Sequence, residues 1–250
     1  MYNKRILTIA HRGAAGDAPE NTLAAFRLGL EQGCDAIELD VHLSKDGEIV
    51  VCHDHTINRT SDRSGAICEL TVDELKRADA GSWFHERYEG EQIPLLEEVF
   101  ELVPPEVTIN IEIKDSRGRK LEPALIELMK RNNRIANVVV SSFDHKNLVF
   151  LKLLEEEVKI GLLYDCNPVR HSLMAATAEV PIYSLHPNFK RLDNEDVRDA
   201  IEQGLQVYPY TINDENLMAK AINYGVSGII TDYPGRLKRL LDQTAGGAGY

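Results

Sequence analysis

Two carboxylates stand two residues apart in Asp35-Ala-Ile-Glu-Leu-Asp-Val41, an apolar run of strand character. Residues i and i+2 of a strand share a face, so Glu38 and Asp40 point the same way among neighbours that favour burial. Buried carboxylates need a cation or a proton, which makes the pair half of a metal site. A third acid, Glu112, lies in Val107-Thr-Ile-Asn-Ile-Glu-Ile-Lys114, again near the carboxyl end of a strand-like run and on the same face as Lys114. Three carboxylates form a hard oxygen site that suits one divalent cation, Mg2+ or Ca2+, better than zinc.

Histidine and arginine complete the chemistry. His11 follows the first apolar run and His53 follows the third, and each imidazole exchanges protons near neutral pH. Phosphodiester hydrolysis needs that exchange twice, once at the attacking oxygen and once at the departing alkoxide. Either histidine can fill either role. Arg12 and Lys114 are the cations placed to grip a phosphate, the first as a planar fork and the second as a point charge. His186, at the end of Pro181-Ile-Tyr-Ser-Leu-His186, is expected at the same mouth as a substrate contact. His42, His55, His85, His145 and His171 fall on an outer face, in loops or on helices, where structural or surface roles are expected.

The elements that must position these groups follow from periodicity. Strand-like runs recur at 6–10, 36–41, 48–53, 107–113, 137–142, 159–163, 181–185, 205–210 and 227–231. Most are separated by amphipathic stretches, at 22–32, 94–103, 121–132, 144–156, 168–178, 194–203, 214–224 and 234–242. Alternation of this kind predicts a parallel sheet with helices outside. The run at 48–53 follows its predecessor after Ser44-Lys-Asp-Gly-Glu48, too short for a crossover helix, and so reads as a hairpin. With Asp46-Gly47 as a two-residue turn, His53 comes opposite Asp40. Removing that excursion leaves the strand number of a (β/α)8 TIM barrel, an α/β architecture. The chain therefore reads as a single domain over 1–250, with an insertion at about 54–106 after the second barrel strand and a frayed tail at about 244–250.

Composition narrows the partners. A net charge of -12 without a basic block argues against nucleic acid and against anionic membrane surfaces. No run reaches membrane-spanning length, and the amino terminus lacks the apolar centre of a secretory signal. Cys34, Cys52, Cys68 and Cys166 lack zinc-site or disulfide-framework spacing, so reduced thiols and a cytoplasmic location are expected. The expected partner is a small molecule, bound by a monomer or homodimer.

The ordered set His11-Arg12-Gly13, Pro19-Glu20-Asn21-Thr22, Glu38-Leu39-Asp40, His53-Asp54, Ile111-Glu112-Ile113-Lys114, Ser142-Phe143 and Thr231-Asp232 resembles that of bacterial, cytoplasmic-type glycerophosphodiester phosphodiesterases. Asp79-Ala-Gly-Ser-Trp-Phe84 and Ile93-Pro-Leu-Leu-Glu-Glu98 extend the resemblance through the insertion. It implies metal-dependent hydrolysis of glycerophosphodiesters to sn-glycerol 3-phosphate and an alcohol. Glu38, Asp40 and Glu112 would be metal ligands, His11 and His53 the general acid and base, and Arg12 a phosphate contact. Glu20 and Asn21 would shape the first loop. Tyr210 stands in Val207-Tyr-Pro-Tyr-Thr211 near a position where the family often carries tryptophan, so a smaller ring would pack the substrate there. Similarity of the family to phosphatidylinositol-specific phospholipase C makes a cyclic phosphate route an alternative to direct attack by water. Two rival readings share the carboxylates: another metal-dependent barrel enzyme, such as a lyase or aldolase, and a noncatalytic phosphodiester-binding protein.

Overall fold

In the computed structural model, which describes residues 5–246, each parallel strand is followed by a segment that returns over the outside of the sheet. The strands are β1 (Leu7–His11), β2 (Ala36–Leu43), β3 (Ile49–Val51), β4 (Thr108–Ile113), β5 (Val138–Ser142), β6 (Lys159–Tyr164), β7 (Ser184–Pro187), β8 (Gln206–Val207) and β9 (Gly228–Thr231). Hydrogen bonding runs β8-β7-β6-β5-β4-β2-β1-β9, all parallel, while β3 pairs antiparallel with β2 off this path. The ring closes between β8 and β9 through irregular backbone bonds: Ser227 N–H to the Val207 carbonyl at 3.0 Å, and Ile230 N–H to the Pro209 carbonyl at 3.1 Å. Pro209 has no N–H to donate, which explains why β8 stops short of the strand expected to reach residue 210. The molecule is a nearly closed TIM-type barrel.

Apolar periodicity accounts for the outer layer. On helix α1 (Leu23–Glu31), Phe26 is buried, and Thr22 caps the first turn by accepting from Ala25 N–H at 3.2 Å. Beyond the one-turn helix α2 (Val72–Leu75), helices α3 (Leu96–Leu102), α4 (Leu121–Arg131) and α5 (His145–Leu154) turn Val99, Phe100, Leu125 and Leu148 onto Leu39, Ile111 and Val140 of the strands. The helix expected over 168–178 is shorter, Ser172–Ala176, and the strand expected at 181–185 is shifted to 184–187. Helix Pro234–Gly246 runs into the expected tail, and residues 247–250 of that tail lie outside the described residues. Residues between β3 and α3 gather around their own apolar cluster of Ile57, Ile67, Leu75, Ala78 and Ile93, sealed onto Val50 and Cys52 of the hairpin side. Helix α3, although inside the span 54–106, belongs to the main core.

The hairpin is one residue out of the expected register. Val41 faces Val51 and Leu43 faces Ile49, so Asp40 pairs with Cys52 rather than His53. Gly47 is the cause. At φ +90° it extends the connection to the three residues Lys45-Asp46-Gly47, closed by Ser44 N–H to the Glu48 carbonyl at 2.9 Å. His53 leaves the ladder and reaches the barrel mouth through the bend that follows β3.

Candidate active site

Strand register assembles the acids. His11 of β1 lies beside Glu38 of β2, which lies beside Asn110 of β4. One step further along, Asp40 lies beside Glu112, which lies beside Ser141 of β5. Paired residues of parallel strands share a face, and carboxyl ends of barrel strands converge on one mouth. Glu38, Asp40 and Glu112 consequently bring carboxylate oxygens within 4.8 Å of one another, all three buried.

Two cations moderate this charge without cancelling it. Lys114 Nζ lies 2.6 Å from Glu112 and 3.5 Å from Asp40, and Arg12 Nε lies 3.4 Å from Asp40. Burial works against ionisation of Asp40, but Arg12, Lys114 and a 2.8 Å bond from Asn21 Nδ2 hold its carboxyl below the usual range. Burial and the neighbouring Asp40 push Glu112 up to about 7. Glu38 rises well above a carboxylate's ordinary value for the same reasons, with Glu112 adding to them. Among the described residues Asp40 Oδ1 is buried with no hydrogen-bond partner, the Lys114 ammonium standing 3.5 Å from it, and a further cation or donor would satisfy it. Oxygen-only donors, excess negative charge and that orphaned atom fit a hard divalent ion.

The first loop brings Arg12 to the acids at a conformational cost. Arg12 has φ +53° and Asn21 has φ +56°, both in the left-handed region. Arg12 N–H donates to Glu38 at 3.0 Å, while its guanidinium donates to Glu20 at 2.8 Å. Next to it, Gly13 at φ +84° lies so close to α1 that a Cβ would sit 2.6 Å from the Ala25 carbonyl carbon. The loop is pinned between the barrel and its first helix.

Each histidine at the mouth has a carboxylate behind it. His11 Nδ1 donates to Asp232 at 2.5 Å, and His53 Nδ1 donates to Asp54 at 2.7 Å. Both pairings leave Nε2 as the ring nitrogen without a carboxylate behind it. Burial, with Arg12 and Lys114 nearby, holds the His53 imidazole below its ordinary range, with Asp40 and Asp54 opposing. Asp232 is itself fixed by Asn213, whose Nδ2 donates at 2.5 Å and whose Oδ1 accepts from the Asp232 N–H at 2.9 Å. Position offered the signal for both acids: Asp54 adjoins His53, and Asp232 follows the carboxyl end of the last strand. Sequence reasoning gave them no role because an orienting contact is set only when side chains meet.

A cavity of about 230 Å³ joins these groups, with His11, Arg12, Glu38, His53, Glu112 and Lys114 in its wall. An open groove of about 640 Å³ continues from it over Phe143 and Asp144, sharing Glu112, Lys114 and Phe143. Tyr210 also lines the cavity, its ring edge-on to Phe143 at 6.1 Å and its hydroxyl donating to the Tyr164 carbonyl at 3.1 Å. His186 is not at the mouth. Its side chain fills the barrel interior where Gly161 leaves space, hydrogen-bonded through Nε2 to the Ser184 hydroxyl at 2.8 Å and lying edge-on to Tyr208. Burial lowers that imidazole to about 3, and it does not line either cavity. The expected substrate contact is corrected to an interior packing residue. His42 is buried as well, and its Nε2 donates to the His53 carbonyl at 3.2 Å.

Barrel, acids and paired imidazoles define a hydrolase of the phosphodiesterase kind. The chain belongs to the glycerophosphoryl diester phosphodiesterase family, whose model matches residues 11–236. It is 42% identical over 240 residues to a glycerophosphodiester phosphodiesterase of Caldanaerobacter subterraneus, covering 95% of this chain and 98% of that one. Among solved structures, an Oleispira antarctica phosphodiesterase in complex with the product sn-glycerol 3-phosphate is 35% identical, with a TM-score of 0.88 over 94% of this chain and 96% of that one. A glycerophosphodiester phosphodiesterase from Thermotoga maritima is 31% identical, with a TM-score of 0.78 over 96% of this chain and all of that one, 100%.

Proposed function

We propose that this enzyme cleaves glycerophosphodiesters to sn-glycerol 3-phosphate and an alcohol by general acid and base catalysis from His11 and His53, with a divalent cation held by Glu38, Asp40 and Glu112. The observation that carries the reading is the pair of carboxylate-backed imidazoles on one cavity lined by Glu38 and Glu112, with the buried Asp40 clustered against both acids. A bound cation, Mg2+ or Ca2+, supplies Lewis acidity and neutralises charge on the phosphate oxygens. Arg12 grips the phosphate with the part of its guanidinium that Glu20 leaves free, and Lys114 adds a point charge from the same cavity wall. One imidazole takes a proton from the attacking oxygen through Nε2, and the other gives a proton to the departing alkoxide. The attacking oxygen belongs to water or to the neighbouring glycerol hydroxyl, and turnover of a substrate lacking that hydroxyl separates the two.

The inner cavity and its adjoining groove fit a diester, which carries two arms from one phosphorus. Phe143 and Tyr210 form the apolar wall between them. The part of residues 54–106 that precedes α3 caps a single barrel domain, and Arg87 and Tyr88 support that reading by bonding the Asp17 carbonyl of the first loop at 2.9 and 3.0 Å. All four cysteines are free thiols, in keeping with a reducing, cytoplasmic setting, and among the described residues no helix is long and apolar enough to cross a membrane.

Release of sn-glycerol 3-phosphate from glycerophosphocholine, with chelator and then with Mg2+ or Ca2+ restored, tests the function. Chelation should abolish turnover and the cation should return it. His11→Ala and His53→Ala should each lower kcat by at least about 100-fold without moving the melting temperature. Product formation that ignores the chelator, or either alanine variant working at a normal rate, overturns the mechanism.

A further inference from the structure

Asp54 and Glu20 stand behind the two groups that meet the substrate, and neither is anchored by the barrel. Among the described residues, hydrogen bonds to the Asp54 carboxylate come from His53 and from Arg59. Those to Glu20 come from Arg12 and again from Arg59. We propose that Arg59 is a positioning residue for hydrolysis, one guanidinium that fixes Asp54 behind His53 and Glu20 behind Arg12; the inference rests on the roles proposed above for His53 and Arg12.

The geometry uses nearly the whole fork. Arg59 Nε donates to Asp54 Oδ2 at 2.8 Å, and Nη2 reaches Oδ1 at 3.2 Å. On the other side, Nη1 donates to Glu20 Oε2 at 2.7 Å and Nη2 to Oε1 at 2.8 Å. A planar guanidinium spans two carboxylates in this way, whereas an ammonium offers a single point of charge. The side chain is 45% exposed, so solvent screening discounts what the two pairs add to stability. Its value lies in placement.

The loop that presents Arg59 is built to hold it still. Ile57 is buried in the second apolar cluster, and its N–H donates to the Gly65 carbonyl at 3.1 Å. Across the same loop, Ile67 N–H donates to the His55 carbonyl at 3.0 Å, Gly65 N–H to Asn58 Oδ1 at 2.9 Å and Ser61 Oγ to the Ile57 carbonyl at 2.7 Å. Asp232, behind the other histidine, is held by Asn213 within the barrel. The insertion therefore supplies from outside for His53 what the barrel supplies for His11.

Steady-state kinetics on glycerophosphocholine at saturating cation, for wild type, Arg59→Ala, Arg59→Lys, Asp54→Asn and the Arg59→Ala/Asp54→Asn double variant, test the inference. Arg59→Ala should lower kcat by about 30- to 100-fold and raise KM, since misplacing a reacting group by an ångström costs about that much. Arg59→Lys should recover less than about threefold of the lost kcat. In the Asp54→Asn background, Arg59→Ala should change kcat by less than about threefold yet still raise KM through Glu20 and Arg12. Millimolar guanidinium should restore kcat to Arg59→Ala and leave Asp54→Asn unchanged. A kcat for Arg59→Ala within threefold of wild type, or an undiminished loss in the Asp54→Asn background, overturns the inference. If Arg59→Ala melts below assay temperature, Arg59→Lys carries the test: a fall in kcat at an unchanged melting temperature supports it and wild-type kcat refutes it. Failure of wild type itself to release sn-glycerol 3-phosphate would defeat the hydrolase reading instead.

Discussion

Stripping the protein of divalent ions and titrating Mg2+ or Ca2+ back at several pH values probes the three buried acids directly. Glu112, raised to about 7 by burial and Asp40, carries a proton half the time at neutral pH in the ion-free protein. Cation binding must displace that proton. With this group alone, the deprotonated fraction climbs from about 9% at pH 6 to about 91% at pH 8, so the apparent association constant should rise about tenfold across that interval. Glu38, raised well above its ordinary value by burial, Asp40 and Glu112, steepens the dependence. Proton release at pH 7 should fall between about 0.5 and 1.5 per ion bound. Folding stability should follow the same linkage. In the ion-free protein Glu112 binds its proton more tightly when folded than unfolded, so its contribution is complete below about 4.5 and is lost as pH rises through about 7. Bound cation should offset that loss. Isothermal titration calorimetry in two buffers of different ionisation enthalpy reads affinity and proton count together. An affinity flat from pH 6 to 8 with no proton exchange would refute the electrostatic account of the site, and failure of both ions to bind would remove the metal.

Two further substitutions probe the orienting contacts and the barrel interior. Asp232→Asn keeps the shape of the side chain behind His11 but removes its charge and can present an amide donor; kcat should fall about 100-fold with the melting temperature little changed, and a normal kcat would show that His11 needs no orienting acid. Gly161→Ala would place a Cβ 2.4 Å from His186 Nε2 and 2.7 Å from Ser184 Oγ, so urea unfolding should show a loss of about 2 kcal/mol, and an unchanged midpoint would contradict the interior packing described for His186.

The hairpin shows how far local chemistry can be read. Its existence follows from the short gap between two apolar runs, but its register turned on Gly47 taking a left-handed conformation and lengthening the turn by one residue. His53 reaches the mouth because the chain bends after β3. Position along a strand likewise placed His186 at the mouth, yet the missing side chain at Gly161 drew the imidazole into the interior. Two orienting acids, Asp54 and Asp232, could be seen as residues but not as partners.

Alternating apolar periods, a chain length suited to one barrel and acids at strand ends determined the architecture and marked the acids Glu38, Asp40 and Glu112 as candidates from the sequence alone, because periodicity and position along a strand are properties of single elements. Tertiary structure decided what acts on what. His11 and Asp232 are 221 residues apart, and Arg59 reaches Glu20 across 39 residues. Contacts between such distant segments depend on how the barrel closes and where its insertion packs, and no local pattern of residues encodes either.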